Sequence, residues 1–287
     1  MTDIYGLIGD PVAHSRSPAM QNAAFAALGI DATYQLWQTT SAELPARIAS
    51  LRQLPNCGAN VTIPHKLAVM PLLDRIAPSA ELVGAVNTIT VSGSSLIGHN
   101  TDASGLLQAL QALQATNGVA PRVGLVLGAG GAARAACVAL AQWGVSEIRI
   151  VARNPLAAAQ LAQMMTTRLH VLCQSGSTDT VSQAELVALV ADVGVIINAT
   201  PIGLHDTTEQ PFPLDIVLKA GSKPFLVDLI THTTHWLTTG KAHGLATMGG
   251  LPMLVYQGEL AFFLWTGQMP PPQLMHQAIT KHNNTVQ

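Results

Sequence analysis

Short apolar runs, each separated from the next by a stretch with helical spacing, recur along the 287-residue chain. Residues 4–8 read as a strand. The loop from Gly9 to Pro18 leads into a helix with Met20, Ala23, Ala24, Ala27 and Leu28 at its apolar positions and Gly29 as its stop. The same pattern predicts strands over 33–38 and 58–63, a helix over 66–76 after Pro64, and a hairpin from 86–91 to 95–98 across Ser92, Gly93 and Ser94. A helix over 103–115 ends at the polar break Thr116, Asn117 and Gly118. From there the rhythm is plainer, with strands at 122–127, 148–151, 169–173, 193–197 and 225–228, and helices reaching Trp143 and over 235–243 and 253–266. Strands separated by helices imply largely parallel, helix-covered sheets, an α/β fold. The length suits two domains, and the final helices could close either one.

Composition first complicates this picture. Only 10% of residues are charged and the mean hydropathy is +0.33, so a membrane reading has to be tested. It fails on length, because Arg134, Asn198, Gly258 and Glu259 interrupt the greasiest regions before the roughly 18 apolar residues a span requires. Fourteen Lys and Arg against 16 Asp and Glu give a net charge of −2 and no polybasic run, which removes support for nucleic-acid or anionic-membrane partners. Cys57, Cys137 and Cys173 are scattered without a C-x-x-C spacing, and the first residues lack the basic and apolar regions of a signal peptide, so a cytoplasmic location is expected. The pairs His232/His235 and His276/His282 have no carboxylate or thiolate beside them at ligand spacing, and no metal site is expected.

Gly128, Ala129, Gly130, Gly131, Ala132 and Ala133 satisfy G-x-G-x-x-(G/A) directly after an apolar strand and at the opening of a helix. Gly128 permits the tight turn, Gly130 lets backbone N–H groups approach a pyrophosphate, and Ala133 lets helix and strand pack closely. Such a run can also be plain helix packing; the strand–loop–helix–strand order is what favours a dinucleotide. An acidic residue about 20 positions beyond the glycines would hold the ribose hydroxyl of NAD. Here Val151 and Ala152 are followed by Arg153, whose guanidinium suits a 2′-phosphate, so NADP is favoured, with NAD as the alternative.

Two further polar clusters fall at strand ends. Asn60, Thr62 and Lys66 follow one strand, Thr101 and Asp102 follow another, and Asn87 lies between them. Reduction of a carbonyl beside a nicotinamide requires a proton donor or cation for the oxygen that becomes an alkoxide. Lys66 can be that group, as proton donor or as electrostatic partner. Asp102 can orient it, and Asn60, Thr62, Asn87 and Thr101 supply neutral donors and acceptors suited to a polyhydroxylated ring. Spacing alone leaves a surface salt bridge between Lys66 and Asp102 open.

These clusters belong to a longer ordered series: Ser15 to Pro18, Asn60 to Lys66, Gly84 to Thr88, Gly98 to Asp102, Gly128 to Ala133, Asn198 to Thr200, and Gln257 with Gly258. Over nearly its whole length the chain thereby resembles the shikimate dehydrogenase family, including the quinate/shikimate branch. The resemblance implies reversible, nicotinamide-dependent reduction of 3-dehydroshikimate to shikimate. It implies a cleft between a mixed α/β substrate domain (1–102 plus 238–287) and a Rossmann-like, doubly wound NADP-binding domain (103–237). It casts Lys66 and Asp102 as the catalytic pair and Ser15 and Ser17 as hydroxyls for the substrate carboxylate, with Asn60, Thr62, Asn87, Thr101 and Gln257 around the ring. Residues 128–133 become the phosphate loop, Arg153 the adenosine-end contact, and Thr200, Leu229 and Gly250 parts of the cofactor wall. A monomer or homodimer is expected.

Some positions depart from the family pattern. Gln21 and Asn22 stand where His-Asn is usual, and Thr231, His232 and Thr233 stand where a tyrosine and Asn-Pro are common, so a tyrosine hydroxyl assisting carboxylate binding is absent. No second basic residue follows Arg153 within a turn. Two other readings therefore accompany the first: a quinate/shikimate dehydrogenase using NAD or NADP on quinate or a related cyclic acid, and a dinucleotide-binding sensor without turnover. The intact Lys66, Asp102, Ser15 and Ser17 argue against the sensor.

Overall fold

The structure, a computed structural model, describes residues 2–118, 120–176 and 182–285. Two compact units divide the chain: Met1–Gly105 with Val255–Gln287, and Leu106–Leu254. In chain order the first contains β1 (Asp3–Gly9), α1 (Ser17–Ala27), β2 (Ala32–Gln38), α2 (Leu44–Ser50), β3 (Asn56–Val61), a 3-10 turn (Met70–Leu72), β4 (Arg75–Ile76), α3 (Pro78–Val83), β5 (Thr88–Ser92), β6 (Ser95–His99) and the start of α4 (Asp102–Asn117). The second continues with β7 (Val123–Leu127), α5 (Gly131–Trp143), β8 (Glu147–Val151), α6 (Pro155–Leu169), β9 (Leu172–Gly176), α7 (Gln183–Val190), β10 (Val195–Asn198), α8 (Leu214–Ala220), β11 (Phe225–Asp228), α9 (His235–Ala242) and β12 (Thr247–Met248). α10 (Leu251–Thr266) leads back to the first unit, which α11 (Leu274–Thr285) completes.

The first sheet has the order β2-β1-β3-β5-β6-β4. β1 runs parallel to β2 and β3, but the tight turn at Gly93, left-handed at φ 61°, folds β6 back on β5, and β5 is antiparallel to both its neighbours. This sheet is therefore mixed rather than largely parallel. The helix expected over 66–76 does not form. Pro71, inside that span, lacks the N–H a helix interior needs, and the chain instead turns into β4, which pairs with β6 while the Asp74 carboxylate accepts from Leu96 N at 2.7 Å. Aromatic packing fixes α1 and α10 to the sheet: Tyr5 lies 5.2 Å from Phe25 and 4.9 Å from Trp265, and Trp265 Nε1 donates to the Ile89 carbonyl at 3.0 Å. Phe25 and Phe262 are fully buried against each other, each such burial worth roughly 1.5–3 kcal/mol.

In the second sheet, ordered β12-β11-β10-β7-β8-β9, every pairing is parallel. This is the doubly wound order, reversing between β7 and β10. Both of those strands are buried throughout, as central strands of a parallel sheet must be. Helix starts follow local chemistry. Asn154 Oδ1 accepts from Ala157 N at 3.1 Å to cap α6, and Ser182 with Glu185 forms a capping box on α7. α6 runs to Leu169 and closes on left-handed His170, so the strand expected from 169 begins only at Leu172. The expected return to the first unit at 238 also falls later, at 255, because β12 pairs with β11 through Leu226–Thr247 and Val227–Met248 and keeps α9 in the second sheet's unit. No described helix is long and apolar enough to cross a membrane.

Candidate active site

Parallel β1 and β3, with β5 antiparallel and β6 turned back again, bring four chain segments to one edge of the first sheet. Ser15 and Ser17 follow β1, Thr62 and Lys66 follow β3, Asn87 precedes β5, and Thr101 and Asp102 follow β6. Lys66 Nζ donates to Asp102 Oδ2 at 2.6 Å, with side-chain exposures of 14% and 6%. The surface-salt-bridge reading is thereby set aside. A charge so desolvated persists only when paired, and Asp102 gains further support from its place in the first turn of α4, where the helix dipole favours an anion. The Lys66 carbonyl accepts from Val86 N at 2.8 Å, which ties the lysine's backbone to the segment carrying Asn87.

Asn87 is the hub. Its Oδ1 accepts from Thr101 N at 2.8 Å, which fixes the amide's orientation, and its Nδ2 faces Asp102 Oδ1 at 2.9 Å, Thr101 Oγ1 at 2.9 Å and Gln257 Oε1 at 3.3 Å. Ser15 Oγ donates to Ser17 Oγ at 3.2 Å. Ser17 is buried, and Ser15 and Thr62 are half-buried. Asn60 Nδ2 donates to the Asn87 carbonyl at 3.2 Å and to Thr88 Oγ1 at 3.1 Å, and its Oδ1 accepts from the Tyr34 hydroxyl at 2.8 Å, so both its donors are held within the site and its oxygen keeps one further acceptor position. Gln21 is fully buried and donates to the Gly258 carbonyl at 3.0 Å, beside Gln257.

Gly105 holds Gln257 in place. A Cβ there would lie 2.7 Å from Gln257 N and 2.8 Å from its Cβ, so α4 and α10 touch only because residue 105 has no side chain. A glycine inside a helix pattern is a signal of close packing that sequence reasoning missed. Gly105→Ala is expected to destabilise the protein by about 1–3 kcal/mol and to lower turnover about 10- to 100-fold through displacement of Gln257. Thermal denaturation and steady-state kinetics on the same preparation would check both effects; unchanged values would show that the helices separate freely.

In the second unit the residues expected to hold a dinucleotide all follow strand ends: 128–133 after β7, Arg153 after β8, Thr200 after β10, Leu229 after β11 and Gly250 after β12. Ligands of parallel α/β sheets bind there. Gly128 is left-handed at φ +112°, and a Cβ on it would lie 3.0 Å from the Ala199 carbonyl, which places the glycine loop beside the Thr200 loop. Gly130 precedes α5 with open space around it, and Ala133 is fully buried. Arg153 is exposed and takes part in none of the ion pairs among the described residues. A Cβ at Gly250 would overlap the Leu229 carbonyl.

Asp228 went unnoticed in the sequence. Fully buried, it accepts from Asn198 Nδ2 at 3.0 Å, Ile230 N at 3.1 Å and Thr234 Oγ1 at 2.9 Å, while Asn198 Oδ1 accepts from Thr200 Oγ1 at 2.6 Å. Burial pushes its carboxyl above the ordinary value against the pull of these donors. The two loops after β10 and β11 are thus pinned to one carboxyl. Thr231, His232 and Thr233 line a cavity of about 350 Å³ in this unit, with Lys241 also on its wall. Of the histidines considered as ligands, His232 Nε2 meets the Gly203 carbonyl at 3.0 Å and His235 Nε2 meets Thr239 Oγ1 at 3.1 Å; the His282 side chain lies outside the described residues.

A doubly wound parallel sheet with an open glycine loop, in one chain with a desolvated ammonium–carboxylate pair framed by amides and hydroxyls, defines an oxidoreductase of the dinucleotide-binding class. Residues 7–89 match the shikimate dehydrogenase substrate binding domain, and residues 250–280 match the shikimate 5′-dehydrogenase C-terminal domain. The chain belongs to the shikimate dehydrogenase family. A relative named shikimate dehydrogenase (NADP(+)), from Symbiobacterium thermophilum, is 42% identical over 96% of this chain and 92% of its own. The shikimate 5-dehydrogenase from Thermus thermophilus, solved with NADP(H) and shikimate, is 35% identical with a TM-score of 0.82, covering 97% of this chain and 99% of that one. The 5-ketofructose reductase of a Gluconobacter strain, in its ligand-free form, is 31% identical with a TM-score of 0.82, over 98% and 99% of the two chains.

Proposed function

We propose that the protein catalyses the reversible NADPH-dependent reduction of 3-dehydroshikimate to shikimate, with substrate held by the first unit and cofactor by the second. The Lys66–Asp102 pair at 2.6 Å, framed by Asn87, is the observation that carries this reading. Lys66 has three N–H donors and commits one to Asp102, so others are available to the substrate oxygen that gains charge. In reduction Lys66 hands a proton to that oxygen, and in oxidation it takes the proton back, while Asp102 keeps the ammonium aimed and accepts a neighbouring substrate hydroxyl. Ser15 and Ser17 hold the substrate carboxylate, and Thr62, Thr101 and Gln257 meet the ring. When bound, the nicotinamide cofactor supplies or takes up the hydride.

The second unit fits a phosphorylated dinucleotide. Residues 128–133 leave the N–H groups at the start of α5 free of side-chain caps, and Arg153 stands exposed at the end of β8 with no carboxylate at Val151 or Ala152. Thr200, Leu229 and Gly250 complete the wall. Arg153→Ala is expected to raise KM for NADP about tenfold and to leave KM for NAD unchanged, since a single charge-assisted contact to the 2′-phosphate is lost. Equal effects on both cofactors would remove Arg153 from the adenosine end.

A second reading is motivated by the Thr231 cavity and by the full-length likeness to a 5-ketofructose reductase: a paralogue acting on quinate or a related cyclic hydroxy acid with NAD or NADP. Initial rates with shikimate and quinate, each with NADP and NAD, separate the two. The first reading predicts the highest kcat/KM for shikimate with NADP; a higher value for quinate would replace it.

A further inference from the structure

Gln21 carries a half-satisfied amide in the interior of the first unit. It is fully buried, its Nε2 donates to the Gly258 carbonyl at 3.0 Å, and among the described residues nothing donates to its Oε1. The amide cannot turn over, because a carbonyl can only accept and Oε1 would then oppose the Gly258 oxygen. Nor does Gly258 depend on it. Gly258 lies inside α10, where a helical carbonyl already accepts from the N–H four residues on. A buried acceptor left without a donor costs at least as much as one neutral hydrogen bond returns, so this amide adds little net stability. What it does is set a position.

Two binding elements meet at that bond. Ser17 and Gln21 stand one turn apart on the buried face of α1, and Gln257, which precedes Gly258 in α10, accepts from Asn87 Nδ2 at 3.3 Å. The two helices approach closely because residue 258 has no side chain: a Cβ there would lie 2.6 Å from Met20 Cε and 3.4 Å from Gln21 Nε2. The thioether end of Met20 is flexible and imposes no register, whereas the Gln21 hydrogen bond is directional and acts on the residue next to Gln257.

We propose that Gln21 is a positioning residue for substrate binding: its amide sets the place of Gln257 on α10 relative to Ser17 on α1, so that the ring and the carboxylate of one substrate are met together. This rests on the reading of Ser17 and Gln257 as substrate ligands. Without the amide α1 and α10 still pack, but Gln257 is no longer held in one place and has to be ordered at the moment of binding. The loss falls on substrate affinity. Lys66 and Asp102 keep their own contacts, so the chemical step is spared.

Gln21→Met keeps the length of the side chain and removes the donor. KM for shikimate is expected to rise about fivefold with kcat within about twofold, KM for NADP unchanged, and the melting temperature no more than about 3 °C below wild type. Gln21→His, whose ring Nε2–H has the reach of the glutamine Nε2, is expected to bring KM back to within about twofold of wild type. In a Gln257→Ala background, adding Gln21→Met is expected to change KM by less than about twofold, because the two residues act through one contact with substrate. A wild-type KM in Gln21→Met, a KM raised as far in Gln21→His, or a full effect persisting without the Gln257 side chain would overturn the role of Gln21 and leave the shikimate reading intact. So would a Gln21→Met protein that melts more than about 3 °C lower or does not fold, since the amide would then be a structural bond. Wild-type protein without turnover of shikimate and NADP would remove the substrate roles of Ser17 and Gln257, and this proposal with them.

Discussion

Replacing Lys66 by alanine is expected to lower kcat about 10³-fold in both directions, the range for losing a positioned proton donor together with its charge. Cofactor binding should be untouched, since the residues that fit the dinucleotide all lie on the other unit's sheet. The fold should survive as well. Asp102 keeps the Asn87 amide at 2.9 Å and its place at the start of α4, so the stability lost with its partner stays at about 3 kcal/mol, the low end for breaking a buried pair. Lys66→Arg then separates charge from proton transfer, because a guanidinium keeps the charge and does not give up its proton. Its rate is expected to fall within about tenfold of the alanine variant. Recovery of most of the activity by arginine would assign Lys66 a purely electrostatic role, and full activity in Lys66→Ala, measured by steady-state kinetics, would remove it from the chemistry.

How much of this was readable beforehand depended on where the partners of each residue lie. Lys66 and Asp102 stood out because each is a charge at the end of an apolar strand in a chain with few charges, and the glycine loop stood out through its strand–loop–helix order. Tyr34 did not. A tyrosine in Ala32–Gln38 reads as an ordinary strand former, and its bond to Asn60 exists only because β1 pairs on one side with β2 and on the other with β3. The same register sets the partners of Asn60. Residues 66–76 carry Leu67, Val69, Met70, Leu72 and Leu73 at near-helical spacing, but Pro71 outweighs them. The boundary placed at 238 failed for a different reason. β12 is two residues long, too short for any periodicity, yet its pairing with β11 keeps the chain in the second unit.

Asp102→Asn is expected to lower kcat/KM about 10²- to 10³-fold with little change in melting temperature. Helix α4 does not depend on the carboxylate for its cap, because Asn100 Oδ1 accepts from Ala103 N at 3.3 Å. The damage comes from donor count. Asn87 Nδ2 and Lys66 Nζ both donate to Asp102, and Asn87 cannot turn over because Thr101 N holds its Oδ1 at 2.8 Å. An asparagine at 102 offers one acceptor and one donor, so its NH2 group must oppose either the Asn87 amide or the Lys66 ammonium. Lys66 has the longer and freer side chain and moves away first, taking the proton donor off line. Two variants acting through one group should then fail to multiply. The double variant Lys66→Ala with Asp102→Asn is expected to lie within about tenfold of Lys66→Ala alone. A product of the two separate losses, about 10⁵-fold or more, would instead mean that Asp102 acts mainly on the substrate hydroxyl and little through the lysine.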